Sequence, residues 1–60
     1  MPLSGKEMLK LYQRAGWIYL RQTGSHVHVL KEGMHECIPM HKELRTGMER
    51  YLLKRLERTK

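Results

Sequence analysis

Two short stretches of β character stand back to back around a glycine, and that pairing limits the fold more than any other part of the chain. Trp17-Ile18-Tyr19-Leu20-Arg21 is followed, across Gln22-Thr23-Gly24-Ser25, by His26-Val27-His28-Val29-Leu30. β-Branched and aromatic side chains suit a pleated, half-buried surface. Thr23-Gly24 reads as a tight reversal, because glycine accepts positive φ without a Cβ clash. A hairpin is therefore expected, with strands over about 17–22 and about 25–31. Ser25-His26 leaves its turn, and an imidazole held there can act as acid or base near neutral pH.

The flanking segments read as helices. Ser4 and Glu7 have the spacing of a capping box, with Leu3 and Met8 at the staple positions. Met8, Leu11, Tyr12 and Ala15 then recur on one helical face, and Gly16 stops the helix. After the hairpin, Glu32-Gly33 is a second turn, and Met34 to Ile38 a third strand ended by Pro39, which cannot donate to a ladder. Thr46 and Glu49 suggest a second capping box, opening a helix whose apolar stripe is Met48, Tyr51, Leu52 and Leu56. The expected fold is α+β, in the order α-β-β-β-α. A three-stranded antiparallel sheet carries two helices on one face, the layout of a double-stranded-RNA-binding domain.

If Glu32-Gly33 is a two-residue turn, Leu30 faces His35, His28 faces Cys37 and Val27 faces Ile38. Period two then puts Val27, Val29, Glu36 and Ile38 toward the helices, and His26, His28, His35 and Cys37 on the open side. On the first strand, simple alternation separates Ile18 and Leu20 from Trp17, Tyr19 and Arg21.

Sixty residues make one domain, 1–60, with a thin core and no deep cleft. Chemistry on such a chain needs a large substrate laid across an open surface. Twelve Lys+Arg against six Asp+Glu give a formal +6, which favours a polyanion, nucleic acid first. No apolar run approaches the roughly 20 residues of a membrane span. The opening Met1-Pro2-Leu3-Ser4 lacks a signal-peptide pattern, and the single Cys37 suits a reducing compartment, so the cytoplasm is expected.

Three imidazoles and a thiol on one face invite a zinc reading, but the paired Cys-x-x-Cys knuckles are absent, and neither a metal nor another cofactor is expected. RNA can be cut without metal. A base takes the ribose 2′-hydroxyl proton, that oxygen attacks the adjacent phosphorus, and an acid protonates the leaving oxygen. His26 suits either task. Arg21, Lys42 and Arg45 are chemically able to steady the phosphorane charge. Two other readings remain open: a non-catalytic RNA-binding module, and a basic adaptor for an acidic protein.

Leu9-x-x-Tyr12-x-x-Ala15-Gly16-Trp17, Arg21-Gln22-x-Gly24-Ser25-His26, Ile38-Pro39-x-His41 and Leu44-x-x-Gly47-Met48-x-x-Tyr51-Leu52-Leu53-Lys54 together resemble the HicA toxin family. These elements stand in family order across nearly the whole chain. The resemblance implies a double-stranded-RNA-binding-domain-like toxin that cleaves mRNA as a metal-independent endoribonuclease, restrained by a HicB-type antitoxin. It implies a chain that is monomeric alone and hetero-oligomeric with that partner. The family's essential histidine maps onto His26, which is the expected catalytic residue. Arg21, Gly24, Ser25, Lys42 and Arg45 are the expected RNA contacts. The chain departs from the family in having Met48 after Gly47 and in its short second hairpin. No role carries over to His28, and His41 is expected to serve structure or phosphate contact.

Overall fold

A computed structural model describes residues 2–59. Helix α1 (Gly5–Arg14) leads into strands β1 (Ile18–Thr23), β2 (His26–Lys31) and β3 (Met34–Pro39), and helix α2 (Thr46–Arg58) follows. The strands form one antiparallel sheet in the order β1-β2-β3, with both helices contributing to the core on its buried face. No described helix is long and apolar enough to cross a membrane.

Helix α1 begins and ends as its residues dictate. The Glu7 N–H donates to Ser4 Oγ at 3.1 Å, and the Ser4 N–H donates to Glu7 Oε1 at 2.9 Å, so two orphan donors are satisfied reciprocally. At the other end Gly16 takes φ +97. The Gly16 N–H then reaches Gln13 O at 3.1 Å and the Trp17 N–H reaches Tyr12 O at 3.0 Å, the two bonds of a Schellman motif. Its usual apolar contact is present as well, because the Tyr12 and Trp17 rings meet edge-on with centroids 5.1 Å apart.

Helix α2 begins differently from the expected capping box. Arg45 is the N-cap and makes no side-chain cap bond, while Thr46 is already helical. The carboxylate that would close the box is engaged elsewhere: Glu49 Oε2 accepts the Leu3 N–H at 2.5 Å. With the Leu44 N–H on Leu3 O at 2.8 Å, this ties the N-terminal segment to the start of α2. The apolar stripe is also narrower than the spacing suggests. Leu52 and Leu56 are buried, but Met48 and Tyr51 are exposed.

Met8 and Tyr12 of α1, Val27, Val29 and Ile38 of the sheet, Leu52 and Leu56 of α2, and Trp17 and Leu44 make the core. The expected β2–β3 register holds at each named pair: Leu30–His35, His28–Cys37 and Val27–Ile38. It is set by Glu32 (φ +48) and Gly33 (φ +80), two positive-φ residues as a type I′ turn requires. The register also explains a carboxylate on the helix side. Buried Glu36 accepts from Tyr51 Oη at 2.7 Å and from the Cys37 N–H at 3.0 Å, and Arg55 Nε lies 3.0 Å from it. The Glu36 hydrogen bond, with burial behind it, pushes the Tyr51 phenol up. Lys31 Nζ donates to Ala15 O at 2.6 Å and to Thr59 O, placing one cation on the carbonyl ends of both helices.

Tyr12 joins the two helices through its hydroxyl, which donates to Leu52 O at 2.7 Å. Tyr12→Phe removes this bond between the helices and is expected to cost about 1 kcal/mol in denaturant unfolding. Burial first, and the Glu36 charge second, hold the Tyr12 phenol above its ordinary value. A raised folded-state pKa favours the neutral form, so this contribution is complete below about pH 10 and is lost progressively as pH rises beyond it. The phenylalanine variant should therefore lose stability less steeply than wild type above that pH.

Candidate functional site

The open side of the sheet is built by a turn, a bulge and a cross-strand pair. Thr23 and His26 face each other across the turn formed by Gly24 and Ser25. Gly24 has φ +59 and Ser25 does not share the positive φ, the pattern of a II′ hairpin. A Cβ at Gly24 would meet nothing within 4 Å, so backbone conformation rather than space calls for glycine there. Gln22 Nε2 donates to Gly24 O at 3.0 Å and braces the turn. His26 emerges from it exposed, between the turn and the buried Val27.

The bulge lies in β1. Tyr19 pairs with Val29 but Arg21 pairs with His28, leaving Leu20 as the extra residue. Simple alternation therefore fails: Tyr19 takes the side of Val29, toward the helices, and Arg21 takes the imidazole side. The structure thus brings Arg21 onto the face of His26, where the simple pattern left its position undecided. Every residue of β1 remains exposed, including Ile18, Tyr19 and Leu20. Trp17, just before the strand, is buried instead.

On the same face, His28 Nδ1 lies 3.0 Å from His35 Nε2 with the rings tilted at 32°. The sequence puts both residues on the open side of the sheet but does not by itself bring the two rings together. The signal was available in the I′ turn, whose register places the two rings diagonally across adjacent strands. Desolvation first, then the positive charges of Arg21, His35 and His26, pull the His28 imidazole below its ordinary value. Burial pushes the neighbouring Cys37 thiol up, with Glu36 acting the same way. Among the described residues, no three His, Cys, Asp or Glu side chains converge as a metal-ligand set.

The end of the sheet beyond His26 is closed by backbone. The Met40 N–H donates to Ser25 O at 2.6 Å, and the Gly5 N–H donates to His41 O at 2.8 Å. The II′ turn, the segment after β3 and the start of α1 are thereby joined. Ser4, Lys6, Met40, His41 and Lys42 line a shallow groove there. Lys6 and Lys42 give this groove a basic rim. Arg45 sits further along, at the N-cap of α2, and no hydrogen bond among the described residues ties it to the turn. The arrangement offers an exposed imidazole on the face that bears Arg21, with solvent access for a long polyanion.

No curated protein and no solved structure matches the chain. A family model described as the HicA toxin of bacterial toxin-antitoxin matches residues 5–57. That span takes in α1, all three strands and nearly all of α2, and with it the turn that displays His26, so the chain belongs to the HicA toxin family.

Proposed function

We propose that this chain is an endoribonuclease that cuts mRNA without a metal ion, with His26 moving a proton at the scissile phosphate. The observation that carries this reading is the exposed His26 ring at the II′ turn, on the sheet face that also bears Arg21. RNA lies across that face, with Gly24 and Ser25 at the turn, Arg21 beside the imidazoles, and Lys42 and Arg45 contacting flanking phosphates. A cation near the phosphorus stabilises charge that grows as the 2′-oxygen attacks, which is where preorganised electrostatics accelerates a reaction most. A HicB-type antitoxin restrains the activity by forming a hetero-oligomer with the otherwise monomeric toxin, and the pair works in the cytoplasm. The formal +6 of the chain suits both an RNA substrate and an acidic partner surface.

Incubating the purified chain with mRNA in EDTA tests this. Discrete fragments should accumulate at a rate unaffected by the chelator. Full-length RNA that is bound in a salt-sensitive manner yet never cut would overturn the reading in favour of a non-catalytic RNA-binding module.

A further inference from the structure

Cleavage through the 2′-hydroxyl needs two proton transfers, and His26 supplies one group. We propose that His28 is the second, acting as general base while His26 acts as general acid, and that His35 is the positioning residue that holds His28 in the required tautomer. The inference rests on the endoribonuclease reading above.

The two imidazoles are two residues apart on β2, on one face and on the order of 7 Å apart along the strand. That spacing lets one phosphate sit between them. His28 faces Arg21 across the β1–β2 ladder, so the guanidinium is beside the same phosphate. The 3.0 Å contact between His28 Nδ1 and His35 Nε2 needs one ring to donate and the other to accept. If His28 Nδ1–H donates to His35 Nε2, the lone pair of His28 is on Nε2, the nitrogen left to accept a proton from substrate. A base oriented through its other nitrogen is the arrangement that makes an imidazole effective in acyl-transfer triads, with a carboxylate in the place His35 takes here.

The step balances without a co-reactant. His28 Nε2 takes the 2′-hydroxyl proton, and the 2′-oxygen forms a bond to phosphorus. The bond from phosphorus to the 5′-oxygen breaks, and protonated His26 gives that oxygen its proton. The products are a 2′,3′-cyclic phosphate and a 5′-hydroxyl, and His28 ends protonated where His26 began so.

The charged and titratable groups facing His28 are Arg21 from β1, His26 on its own strand, and His35 and Cys37 from β3. The cations among them favour the neutral imidazole, as does its desolvation. A neutral base and a protonated acid together give a bell-shaped rate profile, in which the acid-side limb belongs to His28.

The experiment measures single-turnover cleavage of one RNA against pH for wild type, His26→Ala, His28→Ala, His35→Ala and His35→Gln, with RNA binding and Tm recorded for each. His28→Ala should bind RNA as wild type does, lose at least about 100-fold in rate, and lose the acid-side limb. His35→Ala should lose about tenfold in rate with RNA binding and Tm unchanged, since the Nδ1–H of His28 has lost its acceptor. His35→Gln, which restores an acceptor for Nδ1–H, should recover most of the rate. If His26→Ala is inactive while His28→Ala keeps the wild-type rate and both limbs, the second-histidine inference is overturned and the endoribonuclease reading stands. If His26→Ala cuts like wild type, both are overturned.

Discussion

His26→Ala should abolish RNA cleavage and cell toxicity while leaving the fold intact. The two halves of this expectation have separate grounds. The ring is exposed on the open side of the sheet, whereas the β2 side chains that carry the core are Val27 and Val29 on the other side. Surface substitutions of that kind usually change stability by no more than about 0.5 kcal/mol, so the variant should melt with wild type. The rate should fall by about 100-fold to 10,000-fold, the range that a positioned acid or base contributes. Growth after induction of the variant, measured beside wild type, reports the same loss in the cell. A folded alanine variant that still arrests growth would remove His26 from the chemistry.

Gly5→Ala should instead unfold much of the protein. Gly5 is the first residue of α1 and is buried. A Cβ there would collide with the Pro39 carbonyl oxygen and lie 2.7 Å from Met40 Cα, both backbone atoms at the end of β3. Neither can turn aside as a flexible side chain would. The helix cannot retreat either, because the Gly5 N–H is bonded to His41 O and Met8 and Tyr12 are locked in the core. Overpacking of this kind costs about 3 kcal/mol or more. At about 0.05–0.15 kcal/mol per residue, a chain this short holds only roughly 3–9 kcal/mol in all. Thermal unfolding should show a Tm lower by more than about 10 °C, and toxicity should fall through loss of folded protein. A Tm within a few degrees of wild type would mean that the contact between α1 and the end of β3 has slack.

Local rules made most of this fold legible. Ser4 and Glu7 close their box, Gly16 terminates α1, and Glu32-Gly33 sets the β2–β3 register so that Glu36 falls among the valines. The failures have a common cause, which is a long-range contact overriding a local pattern. Thr46 and Glu49 have the spacing of a cap, but Glu49 is drawn to the backbone of Leu3, 46 positions away. Tyr51 lies on the apolar stripe of α2 but turns its hydroxyl to Glu36 of β3. Leu20 looks like one more alternating residue, and nothing in its neighbours announces the bulge that moves Arg21 to the imidazole side. His26 was legible as a residue at a turn. The contact between His28 and His35 required the pairing of two strands, which periodicity along either strand does not contain.

The central claim is that an imidazole on this face moves protons while a ribose 2′-oxygen attacks the neighbouring phosphorus. Replacing the single nucleotide at the cut with its 2′-deoxy counterpart, in an otherwise unchanged RNA, measures this most directly. The all-ribose RNA should be cut to a 2′,3′-cyclic phosphate and a 5′-hydroxyl, and the substituted RNA should remain whole. Cleavage of the deoxy-substituted RNA at the same bond, or fragments that carry a 5′-phosphate, would contradict the account.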